Sequence, residues 1–329
     1  MEDHVARSWL QNRIDVWRTL EQQITQHRSS GQNDLSASDE LIRSYQNAQG
    51  DLSFAESELP NSDLVASLRA LLLDANREIS RPVTNFKSDT YRLLAFEIPL
   101  IVISLIPKLI YILILFAASI LIGWTLVSTF PELASLFLSP EMIDTVQAGT
   151  LWTERIFSVT PASVASFSIM TNNIVVSFTA FVLGAFYGLG TFYIVVLNGL
   201  LLGSVFSYTR QFGLADELFN FVIAHGCVEL SVIILTATAG FALGEAIAHP
   251  GLLSRLEQFQ KAARKGWLIC LFCVPFLIIA GLIEGYISPG SYAFATKLTV
   301  GVLFWFVFVI AISGVWLRRG ARLRNRWRH

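Results

Sequence analysis

Charge is scarce in this sequence. Asp, Glu, Lys and Arg make up only 15% of its 329 residues, the stretch 172–209 contains none of them, and 53% of the chain is hydrophobic. Soluble domains carry about 25% charged residues, and a mean hydropathy of +0.54 lies outside their balance, so an integral membrane protein is indicated. A basic excess is missing too: 24 Lys and Arg stand against 25 Asp and Glu, which argues against a nucleic-acid surface for the protein as a whole. Cysteine is rare, and Cys227, Cys270 and Cys273 all sit in apolar runs. Neither a disulfide framework nor a zinc site is indicated, because free Cys in such settings acts as a small hydrophobe. Enzyme signatures are also absent. There is no HExxH, no Gly-x-Ser-x-Gly and no Gly-x-x-x-x-Gly-Lys-Ser/Thr, which leaves metalloprotease, hydrolase and ATPase readings without support. Cys270-Leu-Phe-Cys273 matches a redox motif only formally, since it lies inside an apolar helix. The charged start lacks the apolar core of a signal peptide.

What charge there is concentrates at the front. Residues 1–92 hold ten of the basic and fourteen of the acidic residues, so this segment reads as a separate cytosolic helical bundle without catalytic content. Val5, Trp9, Leu10, Ile14, Trp17, Leu20 and Ile24 recur near helical spacing over residues 5–27. Ser29 to Asn33 break that helix. A second is expected to start at Ser36 or Ser38 and to carry Leu41, Ile42, Tyr45, Leu52 and Phe54. A third, capped by Asn61 or Ser62, bears Leu64, Leu68, Leu71, Leu72 and Ile79 and stops before Pro82.

From Leu93 the chain turns apolar, with only Glu97 and Lys108 charged as far as Val127. About 20 helical residues cross a hydrocarbon core of roughly 30 Å, so this run is too long for one perpendicular span. Pro99 and Pro107 divide it into an interfacial helix over 93–107 and a first span over 109–130. Residues 131–171 form an extracytoplasmic connection. The uncharged stretch 172–209 would measure about 57 Å as one straight helix, so it must fold back at Gly188 and Gly190 into two spans, 172–187 and 189–208. Three more follow at 218–247, 267–287 and 298–317, giving an all-α, six-helix transmembrane domain over 108–317 with a basic tail at 318–329. Arg255, Lys261, Arg264 and Lys265 precede the fifth span and six arginines from Arg318 to Arg328 follow the sixth. With six spans both segments join the N-terminal module on the cytoplasmic side, as the positive-inside rule requires.

Two sets of residues stand out in the spans. Gly184-Ala-Phe-Tyr-Gly188, Gly199-Leu-Leu-Leu-Gly203 and Gly240-Phe-Ala-Leu-Gly244 permit close helix packing, and Gly226, Gly281 and Gly285 join them as packing positions. Polar groups in apolar helices are costly and need partners. His225 and Glu229 fall at i, i+4 on one face of span four, Glu284 lies in span five, and Asn173 and Asn198 lie in spans two and three. One reading is a buried network for proton or ion coupling, a ligand headgroup or a metal. The other is a hydrogen-bond cluster that fixes the bundle. One His with two Glu is weak evidence for a metal, so no metal and no cofactor are assigned.

Taken in order, Asn172-Asn-Ile174, the Gly184/Gly188/Gly190 hairpin, Asn198-Gly-Leu-Leu-Leu-Gly203, His225-Gly-Cys-Val-Glu229, and Ala280-Gly-Leu-Ile-Glu284-Gly285 with Ser288-Pro289 resemble the sporulation stage II protein M family of polytopic membrane proteins. Ser44-Tyr45 and Asp51-Leu52 make the N-terminal module similar to that family's cytosolic region. The resemblance implies a multi-pass protein of the bacterial cytoplasmic membrane. It implies for the namesake a role with peptidoglycan hydrolases during engulfment, while many relatives occur in bacteria that form no spores, and it carries over no catalytic residues. The expectation is a non-enzymatic scaffold of the bacterial envelope, embedded in the lipid bilayer and meeting membrane or cytosolic proteins through residues 1–92. The alternative is a transporter, flippase or channel-like protein using the His/Glu/Asn cluster.

Overall fold

The computed structural model describes residues 2–30, 35–60, 62–80 and 86–315. The chain divides into two compact units, Met1–Asp89 and Thr90–His329. In the first, three helices, α1 (Glu2–Ser30), α2 (Leu35–Glu58) and α3 (Asp63–Ile79), close around Leu20, Leu41, Ala48, Leu68, Leu72 and Ala75. Polar pairs are built into this core: Asp51, 4% exposed, accepts from Trp17 Nε1 at 2.9 Å and faces Arg13 Nε at 3.1 Å. Two of the expected caps are spent otherwise. α2 begins at Leu35, ahead of Ser38, and the Ser38 hydroxyl meets His27 Nε2 at 3.0 Å. Ser62 holds the N-cap position of α3 without a side-chain cap bond and donates instead to the Leu59 carbonyl at 2.8 Å. Asn61 and the basic tail at 318–329 lie outside the described residues.

The second unit contains six helices long and apolar enough to cross a membrane. The expected break at Pro107 does not occur. α4 (Phe86–Arg92), a π-helical turn (Leu93–Glu97) and α5 (Ile98–Thr129) run on as one helix with Pro107 inside it. Apolar helices tolerate an internal proline where neighbouring groups take up the freed backbone positions. The Ser-rich stretch before residue 172 is also helical, so the second span is α8 (Ala162–Val182) with a 3₁₀ turn at Leu183–Ala185. Ser166 fits there because its hydroxyl donates to the Gly281 carbonyl at 2.6 Å.

Gly188, at φ +80°, makes the turn into α9 (Leu189–Gln211), since a positive φ costs glycine little. The expected fourth span, 218–247, is broken at residues 223–225 into α10 (Ala215–Val222) and α11 (Gly226–Ala248). α12 (Arg255–Tyr286) starts with a reciprocal Ser254/Glu257 capping box, a full three turns before the expected position. α13 (Phe294–Ser313) is the sixth span. Within the connection that precedes α8, a 3₁₀ turn (Pro131–Leu136), α6 (Pro140–Gln147) and α7 (Trp152–Val159) bury Ala134, Leu138, Val146 and Leu151 against Val127, Val205 and Tyr208.

α11 is the axis of this unit. It packs on α5, α8, α9, α12 and α13, and 67% of its apolar stretch is buried against 22–44% for the other spans. Glycine makes this possible. A Cβ on Gly240 would collide with the Ala180 carbonyl, one on Gly184 with the Gly240 backbone, and one on Gly244 with the Gly188 backbone, while Gly203 abuts Ile120 of α5. The first and third small-residue motifs therefore pack on each other, and the second serves the α5–α9 pair. The outward faces of α5 (Tyr111, Ile114, Leu121) and α13 (Val302, Leu303, Phe306) are bare apolar surface, suited to lipid.

These contacts predict a graded response to one added methyl group. Gly240→Ala and Gly203→Ala should lower the melting temperature of the detergent-solubilised protein, because backbone must move to admit the Cβ. Gly50→Ala, in α2 with nothing within 4 Å of its Cβ, should be neutral or stabilising by up to about 1 kcal/mol. Equal melting temperatures for Gly240→Ala and Gly50→Ala would contradict the packing.

Candidate functional site

The break between α10 and α11 decides where the candidate residues lie. His225 is the N-cap of α11, at φ −131°, and not a residue of a continuous helix. Glu229 remains one turn away through the backbone bonds that Val228 and Glu229 donate to the His225 carbonyl, at 3.0 and 3.4 Å. Glu284 lies in the last turn of α12. The cluster accordingly sits at the start of α11 and the end of α12, away from the α8–α9 turn that meets Gly244.

Three of the expected residues meet there. His225, 3% exposed, places Nε2 3.7 Å from Glu284 Oε1, and one ligating atom each of His225, Glu229 and Glu284 lies within 4.8 Å of the other two. Asn173, from α8, stands beside the Glu229 side chain. Asn198 is not a member: its amide donates to the Ile194 carbonyl one turn back at 2.8 Å, a local bond that satisfies it within its own helix. Gly226 serves the break, where a Cβ would strike Val222, and Gly281 and Gly285 let α8 approach through Met170 and Ser166.

Sequence reasoning missed the residues that hold the histidine. Ser288 Oγ lies 2.9 Å from His225 Nδ1, and the Phe221 ring stands edge-on to the imidazole at 5.7 Å. Lys297 Nζ donates to the Ser288 carbonyl at 2.6 Å from a buried position. Phe221 lies in the expected fourth span without a polar cue, and Ser288 and Lys297 are 63 and 72 positions from His225, so only the fold joins them. Phe221, Ser288 and Lys297 also line a cavity of about 550 Å³, together with Glu154, Glu217 and Asn220. The opposite end of the bundle has a different character. There Lys108 pairs with Glu245 at 2.7 Å and Arg264 with Glu97 at 3.1 Å, beside Lys261 and Lys265 in a cavity of about 530 Å³.

A family model described as Stage II sporulation protein M matches residues 112–289, the segment that holds the α8–α9 turn, the helix break and all three cluster residues. The chain belongs to the stage II sporulation protein M family. A second model, Domain of unknown function (DUF8413), matches residues 7–81. An uncharacterised protein of Methanocaldococcus jannaschii, MJ0793, is 29% identical over 127 residues, covering 37% of this chain and 70% of its own length. No solved structure matches. In this member of the stage II sporulation protein M family the Lys297 bond to Ser288 anchors the 287–293 connection on which the histidine leans. Lys297→Met should therefore lower the melting temperature in detergent, with a loss of about 1–3 kcal/mol from the stranded carbonyl. A variant that melts with the wild type would remove Lys297 from that role.

Proposed function

We propose that the protein is a non-enzymatic membrane scaffold of the cell envelope, anchored by the six-helix unit and presenting residues 1–89 to protein partners on the cytoplasmic side. The observation that carries this reading is modularity. The N-terminal helices have a core of their own and match a family model separate from that of the membrane unit. Transport is the weaker alternative. The cluster it would use lies at one end of the bundle, while the middle of the central helix is filled by Val232, Leu235 and Ala239 against Ile269, Cys273 and Leu277.

Charge supports the orientation. Lys108, Lys261, Arg264 and Lys265 gather at the end of the bundle shared with the α11–α12 connection. At the other end Glu132, Glu141, Asp144, Glu154, Asp216 and Glu217 outnumber Arg155, Arg210 and Lys297. The positive-inside rule assigns the basic end to the cytoplasm, and both termini with it.

Two experiments test this. In cells, crosslinking of the full-length protein should yield defined partners that are lost when residues 1–89 are removed and insertion is unchanged. If no partner depends on that segment, or if purified protein carries ions or lipid-linked substrates across liposomes, the scaffold reading fails. For orientation, Ala148→Cys should label from outside the cell and Leu252→Cys only after permeabilisation, in a background lacking Cys227, Cys270 and Cys273. The reverse pattern would invert the topology.

A further inference from the structure

The scaffold reading leaves one piece of chemistry unused, at the broken end of α11. Two glutamates approach one imidazole, and the oxygens Glu229 Oε1 and Glu284 Oε2 are sealed from solvent without a hydrogen-bond donor among the described residues. A buried carboxylate oxygen left in that state costs about 1–3 kcal/mol, and more when charged. The imidazole is fixed from behind by Ser288 Oγ at 2.9 Å from Nδ1 and by the Phe221 ring. With Nδ1–H donating to that hydroxyl, Nε2 turns its lone pair toward Glu284 Oε1 at 3.7 Å. One nitrogen and two carboxylates gathered within 4.8 Å repel one another unless a proton or a metal cation lies between them. A second ring nitrogen bonded to the protein is also what holds metal-ligating histidines in place.

We propose that His225, Glu229 and Glu284 form a binding site for one divalent transition-metal ion of the zinc type. Imidazole and carboxylate ligands bind zinc at about 2.0–2.2 Å, so their donor atoms end up roughly 3.4 Å apart in a tetrahedron. The present spread, within 4.8 Å, is a short contraction away from that. The nitrogen ligand selects against magnesium and calcium, which prefer all-oxygen sets. Two carboxylates balance the double charge, and Ser288 holds His225. The 550 Å³ cavity is lined by Phe221 and Ser288, the two residues that hold the imidazole, and so ends one side chain from the cluster. This assigns a metal where one imidazole and two carboxylates in the sequence were too weak a signal, because the Ser288 contact and the sealed oxygens are visible only in the fold. The ion would tie the α10–α11 break to the end of α12.

Full-length, tag-free protein in detergent, stripped with chelator and then dialysed against zinc, tests it by metal content and thermal melting. The expected result is about one zinc per chain and a melting temperature raised above that of the stripped form, with no shift from magnesium at the same concentration. Glu229→Gln and Glu284→Gln should each weaken zinc binding at least about tenfold, and Ser288→Ala should do so by about tenfold, the usual effect of losing a group that orients a ligand. Cobalt substituted for zinc should give a visible tetrahedral spectrum that His225→Gln abolishes. Wild-type protein that retains no zinc after dialysis, and melts at one temperature with zinc and with chelator, overturns the proposal whether or not the variants fold. So does zinc bound equally well by the Glu229→Gln/Glu284→Gln double variant, which would place the ion elsewhere.

Discussion

The membrane unit depends on backbone meeting backbone around α11. Lipid tails are as apolar as the side chains of the spans, so helices gain little from hiding hydrophobic surface from one another and must instead fit closely. In this chain the fit comes from glycine against glycine: Gly240 and Gly244 lie against the Ala180–Gly188 segment that turns α8 into α9. A central helix gripped on one side leaves α12 and α13 to close the other, through Ile269, Cys273, Leu277, Phe304 and Phe308.

That tight packing confines polarity to the ends. Charged and titratable side chains of the unit gather in two groups: Glu97, Lys108, Glu245 and Arg264 at one end, His225, Glu229, Glu284 and Lys297 toward the other. The break at residues 223–225 is the reason the second set exists. An unbroken helix through His225 would have carried its ring on round the helix surface, away from Ser288. With the chain interrupted, the imidazole caps α11 and reaches the 287–293 connection.

The N-terminal unit follows other rules. Three amphipathic helices bury an aliphatic core in the ordinary way, and two buried carboxylates are each met by two side chains, Asp51 by Trp17 and Arg13 and Glu78 by His27 and Arg28. Buried carboxylates persist when their oxygens are occupied in this way.

By itself the sequence determined the class of the protein. A hydrophobic fraction of 53% with an uncharged run over 172–209 permits nothing but membrane spans, because a bilayer admits only helices or closed barrels of fixed length. It also determined that the run must fold back, since its length exceeds the bilayer and Gly188 supplies the turn. Tertiary structure alone decided the rest. Proline at 107 reads locally as a break, yet the helix runs on through it. Conversely His225 reads as one step of a regular helix, yet the chain breaks there. Asn198 looked like a member of the cluster and satisfies itself one turn back, while Ser288, Lys297 and Phe221 gave no sign of membership. Periodicity records how a side chain lies on its own helix. Which helices meet is set by glycine contacts and hydrogen bonds between residues as far apart as 115 positions for Ser166 and Gly281 and 167 for Glu97 and Arg264.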